Sequence, residues 1–140
     1  MGGSLPFLGK FLVPRLQPDH LLRERLLNRL LAEERKRLLL LSAPPGYGKT
    51  TLLAHLARHT CTPLVWYQLD AADNDPGLFL QCLVAALRTR FPSVGRATMA
   101  MLEDPTQPSE RSLAVLLNET VALEKDILLV LEDYHSIHHP

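Results

Sequence analysis

The chain has 140 residues, 46% of them hydrophobic and 21% charged, with 15 Lys+Arg set against 15 Asp+Glu. Such a composition fits one globular domain, or part of one, and excludes a disordered tail. The even charge lacks the basic excess of a protein wrapped around nucleic acid. The apolar run at Leu38–Leu41 is far short of the ~18 residues that span a bilayer. MGGSLPFLGKFLVPR has no basic leader and is broken by Pro6, Lys10 and Pro14, so it is a poor signal peptide, and Pro6 spoils a myristoylation motif. Cys61 and Cys82 make no disulfide scaffold. The expectation is a cytoplasmic protein with reduced thiols and no membrane contact.

Residues 1–18 carry glycine and three prolines and read as an irregular N-terminal arm; residues 19–140 read as one α/β unit. From Asp19, a candidate N-cap, Leu22, Leu26 and Leu30 recur at helical spacing, with Leu27 and Leu31 beside them. Leu38–Ser42 is a short apolar run, consistent with a buried strand. Thr50–His59 predicts a helix with Leu52, Leu53, Leu56 and Ala57 inward, and PLVWYQLD (63–70) a second strand on which one of Trp66 and Tyr67 is core and the other lies at the sheet surface. Asp75 as N-cap and Pro76 at the first helical position open a third helix, with Phe79, Cys82, Leu83, Ala86 and Leu87 on its apolar face. Residues 92–108, with three prolines, read as a loop. Ser109–Glu124 predicts a fourth helix, with Leu113, Leu116, Leu117 and Val121 on one side, and DILLVLED (126–133) a third buried strand. Strands alternating with helices argue for an α/β parallel sheet.

Between the first strand and the helix after it stands A-P-P-G-Y-G-K-T, residues 43–50. The phosphate-loop (Walker A) pattern is G-x-x-x-x-G-K-[ST] in that context, and here Ala43 replaces the first glycine. Gly46 and Gly48 let successive N–H groups turn inward around phosphate oxygens. Lys49 supplies a point charge for the β- and γ-phosphates, and the Thr50 hydroxyl is a candidate Mg²⁺ ligand. Pro45, Tyr47 and Thr51 complete the candidate cradle, and the dipole of the helix adds to it. The bland reading, a Gly-rich turn that binds nothing, is weakened by the strand before and the amphipathic helix after. ILLVLED then supplies an acidic strand end of Walker B form, with Glu132 on the magnesium side and Asp133 as candidate base. Alone, such a strand end is weak, because many buried strands end in a carboxylate. His135, His138 and His139 fit no standard zinc spacing and read as a solvated loop. Arg23–Arg37 is balanced by Glu24, Glu33 and Glu34, which argues against a DNA-binding face.

RERLLNRLL, SAPPGYGKTTLL, WYQLDAADNDPGLFL and LLVLEDYH occur in this order. Together they resemble the N-terminal nucleotide-binding region of MalT-like, LuxR-type transcriptional activators, in the signal-transduction (STAND) branch of P-loop ATPases. The resemblance runs from about Lys10 to Pro140. It implies a three-layer P-loop NTPase fold with a parallel sheet, ATP and Mg²⁺ as ligands, and an Arg-bearing stretch near the adenine, carried here to Leu22 and Arg23. It also implies a slow ATPase switch: ATP with a small-molecule inducer favours self-association, and a C-terminal helix-turn-helix binds promoter DNA. Family members often end the acidic strand in Asp-Asp. Glu132 adds a methylene there, which bears on hydrolysis rate more than on binding. Ala43 is common in this branch.

In this class a sensor strand lies between the phosphate-loop strand and the acidic strand, and no such strand follows Asp133. The expectation is therefore an incomplete domain of a longer protein, with exposed strand edges and a tendency to aggregate. The rival reading is a P-loop enzyme, such as a small-molecule kinase or a transport ATPase. It calls for an acceptor site or signature loop, and neither is present before Pro140. A degenerate scaffold is disfavoured by intact Gly46, Gly48, Lys49 and Thr50.

Overall fold

A computed structural model of the chain describes residues 8–16, 22–33 and 48–132. At its centre are two parallel strands, β1 (Leu64–Gln68) and β2 (Leu128–Glu132), paired from Leu64 opposite Leu128 to Gln68 opposite Glu132. Parallel neighbours need a long crossover, and here its regular structure is all helical. Alternation along each strand sends Leu64, Trp66 and Val130 to one face and Val65, Tyr67 and Leu131 to the other. Helices cover both faces, so Trp66 and Tyr67 are both buried, and neither lies at the sheet surface as the sequence suggests. The α/β character expected from the sequence is present. The apolar run at 38–42, expected as a further strand, lies outside the described residues.

On the Trp66 face lie α1 (Glu24–Glu33) and α2 (Lys49–His59). Leu27 and Leu30 interlock with Leu52 and Leu56, while Leu53 and Ala57 reach the sheet. The expected stripe of Leu22, Leu26 and Leu30 is therefore displaced. Leu22 precedes the helix, and Leu22 and Leu26 are exposed, because contact with α2 selects the neighbouring row. Asp19, the candidate N-cap, is outside the described residues. His55 joins the buried side of α2.

The Tyr67 face carries α3 (Pro76–Arg88), α4 (Arg96–Leu102) and α5 (Ser109–Val121). The start of α3 is as expected: the Asp75 carboxylate accepts from the Leu78 amide at 3.1 Å, and Pro76 fills the first turn. Beyond the expected face, Leu80 and Val84 are also buried, since α3 meets the sheet on one side and α4 and α5 on another.

Two expectations fail here. Residues 92–108 are not all loop, because α4 forms within them. Its N-terminal amides are held by a side chain distant in sequence: the Glu119 carboxylate of α5 accepts from Ala97 at 2.8 Å, from Thr98 at 3.2 Å and from Gly95. Gly95 takes the left-handed φ of +94° that starts the turn. The apolar side of α5 is also buried only in part. Leu116 points inward as expected and Ser112 joins it, but Leu117 and Val121 are 56% and 75% exposed. Residues 112, 116 and 119 share one face at helical spacing, so the Glu119 contact turns Leu113, Leu117 and Val121 outward. The helix ends at Val121, short of Glu124, whose φ is +54°.

The stretch read as an arm holds a 3-10 turn at Leu8–Phe11, docked on the Tyr67 face. Phe11 meets Tyr67 edge-on at 5.7 Å between ring centroids. Lys10 Nζ reaches Asp73 at 2.9 Å and Asp70 at 3.1 Å. The Tyr67 hydroxyl donates to Asp73 at 2.5 Å, and the Asp70 amide donates to Asp73 at 2.8 Å. A second 3-10 turn, Ala71–Asn74, is closed by the reciprocal Asp70–Asp73 capping box. Burial pushes the Asp73 carboxyl up, but its bonds to Tyr67, Lys10 and the Asp70 amide outweigh that and leave it lowered. Burial likewise opposes the charge on Lys10, yet its carboxylate partners raise it overall, and burial together with Asp73 raises Tyr67.

Three measurements check these devices. Glu119→Ala removes the acceptor of three amides and is expected to cost about 1–2 kcal/mol, with faster hydrogen exchange at Gly95, Ala97 and Thr98. Gly95→Ala places a Cβ against Val84 at a left-handed φ. It should lower unfolding stability in urea by about 2 kcal/mol or more. For pH, a lowered Asp73 stabilises above its ordinary value of 3.8, and the contribution fades as pH falls through the lowered value. Raised Lys10 and Tyr67 stabilise below their ordinary 10.5 and 10.0 and lose that contribution as pH rises beyond them. Stability should thus decline in acid and again in alkali, and Lys10→Met should flatten both limbs.

Candidate functional site

The site is built where α2 begins and β2 ends. Gly48 precedes α2 at φ +77°, a left-handed conformation suited to glycine, and its carbonyl accepts from the Leu52 amide at 2.9 Å. Among the described residues no side chain caps this helix, whose start carries the positive end of the helix dipole. Lys49 is the first residue of α2, followed by Thr50 and Thr51.

Glu132 closes β2. Strand alternation puts its side chain on the same face as Val130, toward α2, and there the Thr50 hydroxyl donates to its Oε1. Glu132 is buried, and a buried carboxylate is costly unless hydrogen-bonded. Its backbone is fixed as well, since the Leu69 amide donates to the Glu132 carbonyl at 2.9 Å. Arg23 enters from the residue before α1, whose packing on α2 carries it to the turn. A Cβ built on Gly48 would lie 3.4 Å from Arg23 Nη2 and 3.6 Å from Cζ, so the guanidinium covers the glycine.

Of the residues singled out in the sequence, Arg23, Gly48, Thr50 and Glu132 converge here, and Lys49 and Thr51 flank Thr50 on the same helix. Arg23, expected near an adenine, meets the glycine of the turn. Pro45, Gly46, Tyr47 and Asp133 lie outside the described residues, as do His135, His138 and His139. The sequence reading passed over Gln68, which the strand register sets level with Glu132. The available signal was a polar residue ending an otherwise apolar strand.

A hydroxyl and a carboxylate brought together are hard oxygen donors of the kind Mg²⁺ takes, usually with one or two carboxylates and substrate phosphates completing the shell. Among the described residues no group of three or more His, Cys, Asp or Glu could hold a metal. A shallow groove between α4 and α5, lined by Met101, Asp104, Arg111 and Val115, lies across the sheet from Thr50 and has no part in it. No helix among the described residues is long and apolar enough to cross a membrane.

The described part is thus an α/β unit with a Gly-Lys-Thr helix start facing an acidic strand end. No protein-family model matches the chain. Among curated proteins, it is 39% identical over 119 residues to the HTH-type transcriptional regulator MalT of Cronobacter sakazakii. It is 37% identical over 119 residues to that of Klebsiella pneumoniae. Each match takes in 84% of this chain, and the chain spans only 13% of the length of these relatives. The chain is a MalT-like sequence.

Gly48→Ala is expected to cost about 1–2 kcal/mol from its left-handed φ alone, because the mobile Arg23 side chain can give way to the new methyl. Gly48→Asn, which tolerates that region better, should cost less. Urea unfolding of the two variants beside the parent checks the order, and equal stability of all three would contradict it.

Proposed function

We propose that this chain is the ATP- and Mg²⁺-binding segment of a signal-transducing P-loop ATPase of the STAND type, within a MalT-like transcriptional regulator of the cytoplasm. The observation that carries the reading is the meeting of Thr50, at the start of α2, with Glu132, at the end of β2. Helices on both faces of the parallel pair are compatible with the three-layer fold of that class.

In this reading Lys49 neutralises the β- and γ-phosphates, Thr51 and the first amides of α2 donate to the remaining phosphate oxygens, and Arg23 borders the turn. Thr50 and Glu132 would hold Mg²⁺, which supplies charge neutralisation at the phosphates. Asp133 is the candidate base for a slow hydrolysis. Pro45, Gly46 and Tyr47 form the rest of the loop. ATP set against ADP then gates self-association of a longer regulator, whose inducer and promoter DNA engage other domains.

Calorimetry with Mg·ATP tests this. Micromolar binding, about −8 kcal/mol, is expected for the chain, weakened at least tenfold in Lys49→Ala. Equal affinity of the two proteins, or no binding by folded wild type, would reject the nucleotide site.

A further inference from the structure

The proposed site has a side toward β1, the strand paired with β2. Gln68 ends β1 directly opposite Glu132. In a parallel pair, residues in register project to the same face. Leu64 and Trp66 are on the α2 face, so Gln68, two residues on, is too. Glu132 is placed on that face independently, through Thr50. Gln68 is also the one exposed residue of β1, beyond the cover that Leu53 and Ala57 give Trp66. It therefore borders the opening at the carboxyl ends of the strands, where open α/β sheets bind ligands. The Leu69 amide bond to the Glu132 carbonyl keeps the two strand ends from sliding apart.

We propose that Gln68 is a positioning residue for Glu132 at the metal-bearing end of the nucleotide site; this rests on the nucleotide reading above. Thr50 engages the carboxylate from α2, and Gln68 steadies it from the neighbouring strand. A carboxamide suits that place because it both donates and accepts: its NH₂ serves a carboxylate oxygen and its carbonyl serves a water on the cation. A lysine there would compete with the metal for the carboxylate. An aspartate would add a like charge and favour protonation of Glu132.

The test is calorimetric ATP binding, with and without Mg²⁺, for the wild-type chain, Gln68→Met, Gln68→Asn and Lys49→Ala. Methionine keeps the length of the side chain and removes its hydrogen bonds. In Gln68→Met the Mg²⁺-dependent gain in affinity should shrink at least fivefold, while metal-free affinity stays within twofold of wild type. Gln68→Asn should fall between, and thermal unfolding of both variants separates a lost Mg²⁺ gain from a loss of stability. A Mg²⁺ gain in Gln68→Met equal to wild type would overturn the proposal. So would an equal loss with and without Mg²⁺, which would mark Gln68 as merely structural. If wild type and Lys49→Ala bind ATP alike, the nucleotide reading itself fails and takes Gln68 with it. That result is distinct from a Mg²⁺ gain that survives at Gln68 alone.

Discussion

Everything described here hangs on the parallel pairing of β1 with β2 and the covering of both its faces. Val65, Trp66 and Tyr67 are at most 1% exposed although they point alternately to opposite sides. Burying such side chains is worth about 1.5–3 kcal/mol each relative to exposure, and that requires α1 and α2 on one side and α3–α5 on the other. Losing the pairing would uncover both aromatic rings at once. It would also break the link between the two strand ends, on which the site depends.

The site follows from that register. Thr50 and Glu132 are 82 residues apart in the chain, and they meet because α2 begins near the carboxyl edge of the sheet where β2 stops. Arg23 arrives by a separate route, through the leucines that join α1 to α2. The oxygen pair and the glycine turn are thus brought to one end of α2 by two independent packing contacts.

The opposite face is organised by polar contacts inside an apolar setting. Glu119 sets the rotation of α5 and the start of α4 in one contact. Lys10, Asp73 and Tyr67 tie the amino-terminal turn to the corner after β1, and that corner hydrogen-bonds to Glu132 through Leu69. The amino-terminal turn is thereby connected to the acidic strand end by a short run of bonds.

The sequence by itself determined what depends on local pattern. The two described strands, the Asp75–Pro76 helix start, the Gly-Lys-Thr helix start and the acidic strand end could all be read from spacing and residue type. Those signals are local because backbone propensity, capping and alternation act within a few residues. Only the tertiary structure decided which leucine row of α1 is buried, that α4 exists, and that α5 turns Leu117 and Val121 outward. It alone set Trp66 and Tyr67 both inside, and it alone brought Gln68 beside Glu132. Each of these is fixed by a partner far along the chain: α2 for Leu27 and Leu30, Glu119 for Gly95 and α5, β2 for Gln68. Periodicity says that a helix has an apolar side. Which side is buried is settled by the surface it meets, and that surface is built only when the chain folds.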